Sequence, residues 1–102
     1  MTVADWLRGR TPPPPADLEG RVASVLGESL ARPVADAPAH FLAAGERLLE
    51  ELIRNNSTSR ASALDLLTAD ALVTYAFEAC SDSPSRIDEL AAGAMLRIGS
   101  VA

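Results

Sequence analysis

Cys80 and His40 are the two side chains best suited to nucleophilic or metal chemistry, and each occurs once. A cysteine nucleophile needs a base beside it and an electropositive, partly open setting. The residues around Cys80 offer Glu78 and Asp82, which would hold a thiol protonated. Cys80 therefore reads as a small apolar packing group. His40 stands beside Phe41 in the first turn of an expected helix. Zinc takes three or four Cys, His or carboxylate ligands. One His and one Cys so far apart in sequence do not supply that set, so His40 reads as a surface or boundary residue.

Carboxylates are the one abundant reactive class. Asp65 and Asp70 are five residues apart, roughly 140° around a helix, so they diverge. Asp88 and Glu89 are adjacent and diverge as well. Glu50 and Glu51 flank a wet helix face. Asp70, in an otherwise apolar helix, is expected on a thin polar stripe or paired with an arginine such as Arg97. The glycines are scattered, without the spacing that cradles a phosphate. No catalytic, cofactor-binding or metal residues are assigned from these patterns, and no cofactor is expected.

The totals point the same way. The chain has 102 residues, 48% apolar and 4% aromatic, with a net charge of −5 and a pI near 4.7. That apolar content belongs to a globular chain, not a disordered one. It contains nine Arg and no Lys, which fits a GC-rich genome and a bacterial source. No basic run is present to engage a phosphate backbone or an anionic membrane. A single cysteine excludes an intrachain disulfide scaffold. Met1 to Arg10 carries Asp5 and lacks the apolar run of a signal peptide. The expected compartment is the cytoplasm, with no nucleic-acid or membrane partner.

The elements that position these groups are helices. Thr2-Val3-Ala4-Asp5 has the form of a capping box, opening a short helical segment over 1–10 in which Val3, Trp6 and Leu7 share a face. Thr11-Pro12-Pro13-Pro14-Pro15 follows, making 11–16 a polyproline spacer. The 17–102 region is expected to fold as one helical bundle. A helix over 17–31 buries Leu18, Val22, Val25, Leu26 and Leu30, with Gly20 and Gly27 as points of close approach. The next starts after Asp36 as N-cap, with Pro38 in its first turn, and reaches Arg54. Asn55-Asn56-Ser57 forms a loop. A fourth helix, from Ser59 to Cys80, is apolar nearly all round and is expected to lie central and buried. Ser81-Asp82-Ser83-Pro84 breaks the chain. The last helix carries Ile87, Leu90, Ala94, Met95, Ile98 and Val101, started by Ser83 with Pro84 or by a capping box of Ser85 with Asp88. The expected fold is all-α: an antiparallel bundle of four main helices with a short N-terminal turn.

Trp6, Val3 and Leu7 are the candidate interaction residues. Tryptophan is a common anchor at interfaces, and here it sits beyond a proline spacer. The segment reads either as a tethered docking motif or as a lid that folds Trp6 onto the bundle. The habit of a lone tryptophan to be buried favours the lid.

Several stretches resemble a known family. Val22 to Leu30, Ala31-Arg32-Pro33-Val34, Ala43-Ala44-Gly45-Glu46-Arg47-Leu48 and Ala63-Leu64-Asp65-Leu66-Leu67 look like the opening helices of trans-prenyl diphosphate synthases. Ala69-Asp70-Ala71-Leu72-Val73-Thr74-Tyr75-Ala76-Phe77-Glu78 is similar to a later helix of the same family. The likeness covers about half the chain. Leu49-Glu50 stands where the family has Arg-Pro, and the aspartate-rich magnesium motif is absent. The resemblance implies at most an accessory small subunit of such an enzyme, without prenyl transfer by this chain. The residues themselves point to a non-catalytic protein-interaction or scaffold module that self-associates or serves a protein partner. The alternatives are the accessory subunit and a carrier of a small apolar ligand held between helices.

Overall fold

The computed structural model describes residues 1–55 and 59–101. It is all-α, with four long helices and a short one at the N-terminus. They are α1 (Val3–Arg8), α2 (Ala16–Leu26), α3 (Ala37–Asn55), α4 (Arg60–Ala79) and α5 (Pro84–Val101). Short 3₁₀ turns at Gly27–Ala31 and Val34–Asp36 link α2 to α3. Asn55 is the last residue of α3; Asn56 and Ser57 of the expected loop lie outside the described residues, as does the side chain of Val101.

Each boundary has a local cause. Thr2 and Asp5 form the expected capping box. The Thr2 amide donates to Asp5 Oδ2 at 2.9 Å, and the Asp5 amide donates to Thr2 Oγ1 at 3.2 Å. α2 stops five residues earlier than the apolar spacing suggests. Gly27 there adopts φ +50°, a left-handed geometry that glycine enters freely and that breaks the α-helical ladder. α3 begins directly after Asp36 and carries Pro38 in its first turn. Ser59 caps α4 by accepting from the Ser62 amide at 3.2 Å. α5 begins at Pro84, immediately after Ser83, where proline's fixed φ suits the first helical turn.

α3 and α4 form the main seam. Four residues separate them and they pack along their length, so they lie antiparallel. The seam is tight because of Gly45. A Cβ there would stand 3.2 Å from Leu72 Cβ and 3.3 Å from the Ala69 carbonyl oxygen. Gly20 and Gly27, the expected points of close approach, have no such neighbour: a Cβ at either would meet nothing within 4 Å.

α5 runs parallel to α3. Arg86 donates to the Ala35 carbonyl and Arg97 to Glu46, and both pairs are separated by 51 residues. A constant offset over three turns means the two chains advance together. α5 rests on α3 and barely touches α4, although a short turn joins it to α4.

The core gathers Val3, Val22, Leu26, Phe41, Leu42, Leu72, Tyr75 and Ala76 from α1 to α4, with Ala94 from α5. Among the described residues, no helix is long and apolar enough to cross a membrane. The expectation that α4 is buried all round is corrected. Thr68, Ala69, Leu72, Tyr75 and Ala76 face inward, but Leu66 and Leu67 are 56% and 60% exposed. α4 has neighbours on only part of its circumference, because α5 lies over α3 and leaves the outer face of α4 uncovered.

Candidate functional site

The N-terminal segment is stitched to the body before its aromatic ring is placed. The Val3 amide donates to the Arg32 carbonyl at 2.9 Å, and the Val34 amide donates to the Met1 carbonyl at 3.0 Å. These two backbone bonds lay residues 1–3 antiparallel to residues 32–34. The capping box then turns the chain into α1, with Val3 at 0% exposure.

One turn later Trp6 meets Phe41 of α3 and Tyr75 of α4. The ring centroids are 5.2 Å apart for Trp6–Phe41, 5.7 Å for Trp6–Tyr75 and 5.9 Å for Phe41–Tyr75. All three pairs are tilted or edge-on, the arrangements that the ring quadrupoles favour. Arg10 closes the cluster. Its guanidinium carbon lies 4.4 Å from the Tyr75 ring centre and 5.1 Å from that of Trp6, while its Nη1 pairs with Glu78. One cation thus meets two ring faces and one carboxylate.

Val3, Trp6 and Leu7 therefore come together, facing inward. Val3 has no surface to offer a partner, and Trp6 and Leu7 are half-buried against the core cluster. The segment folds back onto the bundle as a lid. Arg10 was not singled out by its sequence context; its spacing of four from Trp6 was the available signal. Beside the lid lies a mostly apolar cleft of about 290 Å³, lined by Leu7, Val22, Ala23, Leu30 and Tyr75, with Arg8, Arg10 and Glu19 at its polar side.

The remaining candidates are placed as follows. Cys80 is fully buried and its thiol donates to the Ala76 carbonyl at 3.3 Å. His40 is half-buried with Nδ1 2.8 Å from Ser29 Oγ. Asp65 accepts from Arg21 Nε at 2.7 Å, and this bond raises the Arg21 pKa above its ordinary value. Asp70 is exposed on α4, on the same open face as Leu67. Arg97 pairs with Glu46 at 2.7 Å, and that hydrogen bond raises the Arg97 pKa. Glu46 has a side chain only 15% exposed, and its Oε1 is buried with no hydrogen-bond partner among the described residues. Asp5 is held below the usual aspartate value, first by the Thr2 backbone amide and then by the Thr2 hydroxyl.

Asp65 and Asp70 do not converge, and Asp88 and Glu89 both face solvent. Among the described residues no three His, Cys, Asp or Glu side chains stand close enough to hold a metal ion. What the molecule assembles is a clamp of rings and a guanidinium, plus outward-facing apolar side chains on α4 and α5. Comparison with family models, with curated proteins and with solved structures gives no match.

Proposed function

We propose that this chain is a non-catalytic helical module that works by self-association. The observation that supports it is the set of large apolar side chains turned to solvent. Leu66 and Leu67 on α4 are joined by Met95 and Leu96 on α5, 75% and 77% exposed. Single exposed leucines are ordinary, but adjacent large apolar residues on long regular helices mark association surfaces. Trp6, Val3 and Leu7 no longer carry the interaction in this reading, because they are spent on holding the N-terminal lid.

Sedimentation equilibrium of the full chain over a wide concentration range tests the proposal. Reversible association into a defined oligomer is the expected result. A monomer at every concentration would sink it.

A second reading draws on the cleft beside the lid. Its walls are largely apolar and its volume sits at the lower edge of small-molecule sites, which run to roughly 300–1,000 Å³. A small apolar ligand entering it would touch Tyr75 next to Trp6. Titration with a medium-chain fatty alcohol should then change Trp6 fluorescence saturably, and an unaltered spectrum would exclude carriage at this cleft.

A further inference from the structure

The outer face of α4 carries a pattern beyond exposed leucine. Arg60, Ala63, Leu67, Asp70 and Thr74 are all exposed. Their spacing is three, four, three, four, the repeat that keeps one seam of a helix facing a partner helix. Leu66 flanks the seam. The two charges at its ends, Arg60 and Asp70, are of opposite sign, and neither has a salt-bridge partner among the described residues. Among the described residues Arg47 and Arg86 are the other arginines without one, Arg86 donating to the Ala35 carbonyl instead, whereas Arg8, Arg10, Arg21, Arg32, Arg54 and Arg97 all have carboxylates.

We infer that this seam binds the same seam of a second copy, α4 against α4 in antiparallel register about a two-fold axis. The inference rests on the self-association reading above and specifies its surface. In a two-fold antiparallel pair, residue numbers facing one another have a constant sum. The register that sets Arg60 opposite the partner's Asp70 also sets Ala63 opposite the partner's Leu67. The charge pair and the large–small pair each occur twice, as an isologous interface requires. Leu67 of each copy enters the space that Ala63 leaves on the other. Leu66 closes over the flank. From Arg60 to Asp70 the seam spans about 15 Å, at 1.5 Å per residue. The alternative parallel arrangement places like charges side by side and is disfavoured by them.

The arrangement makes a charge-exchange test available. R60D carries two acids at the ends of its seam and D70R two cations, so each should self-associate roughly tenfold more weakly, from two pairs lost per dimer. Mixed together, R60D and D70R should form a heterodimer that neither forms alone, because every end pair is again of opposite sign. The double variant R60D/D70R should recover wild-type association. L67D should leave a folded monomer, with its helical circular dichroism unchanged because position 67 is exposed. Native mass spectrometry of the mixtures and sedimentation equilibrium of each variant read these outcomes. Association of the wild type with no response to the charge exchange or to L67D would overturn the α4 interface while leaving self-association standing. A monomeric wild type would overturn both.

Discussion

The two ends of the chain are held to the bundle by opposite means. α1 is six residues long, too short to be stable alone in water. Yet it is fixed by its capping box, by two backbone bonds to residues 32–34, by Trp6 between two rings and by Arg10 over them. α5 is 18 residues long and lies on α3 with Ala94 as its one buried apolar side chain among the described residues. Two arginines reach across to tether it, one of them to a glutamate whose second oxygen is buried with no hydrogen-bond partner among the described residues. Open clefts of about 400 and 570 Å³ lie between α3 and α5, both touching Glu46 and Arg97. Element length therefore does not measure attachment. Interlocked rings and backbone pairing seat the six-residue α1, whereas among the described residues the 18-residue α5 buries one alanine and is tethered by two arginines.

The strongest way to break that contrast is to remove the ring that locks α1. Trp6→Ala should cost about 3 kcal/mol of unfolding free energy in urea titration. An effect near zero would mean that the N-terminal segment is not part of the folding unit. Arg10→Ala comes next, at about 1 kcal/mol, from a partly buried cation over two rings. Its loss should shift Trp6 emission without altering helix content.

Thr2→Ala should cost a similar amount, about 1 kcal/mol, by uncapping α1. The same cap gives a pH signature. The Asp5 pKa is depressed in the folded state, so its contribution is present above the ordinary aspartate value. It is lost as the pH falls through the lower folded value. Acid titration followed by Trp6 fluorescence should show the lid loosening there in the wild type, and Asp5→Asn should remove that step.

At the other end the effects should be small. Leu96→Ala should change stability by less than about 0.5 kcal/mol, as exposed positions usually do. Amide exchange in α5 should run ahead of that in α4 and in the bonded residues Val3 and Val34. Equal protection of α5 and α4 would erase the difference between the two ends.

Much of this architecture was legible in single residues. Thr2 and Asp5, Gly27, Ser59 and Pro84 each act on their own backbone, and four of those five sit at boundaries that the pattern anticipates. Gly27 is the exception, since a glycine in an apolar repeat does not disclose whether it serves close packing or a positive φ. The inward-facing set of α2 follows from spacing alone, because a helix with one wet side has one place to put its core residues. α4 lacks that wet side. Its apolar residues surround the axis, so periodicity could not say which of them lie inside. Leu66 and Leu67 were indistinguishable from Leu72 until neighbours were in place. Trp6 likewise turns inward because Phe41 and Tyr75 from distant helices stand beside it.

The sequence by itself determined the helical content and most of the boundaries, because these depend on local backbone preferences and on which residue types are present. Only the tertiary structure decided which way Trp6 turns, which carboxylates Arg10, Arg21 and Arg97 take, that Gly45 carries the tight seam, and which stripe of α4 is left open. Those outcomes depend on the relative placement of helices far apart in the chain, and that placement is set by the summed packing of many side chains at once.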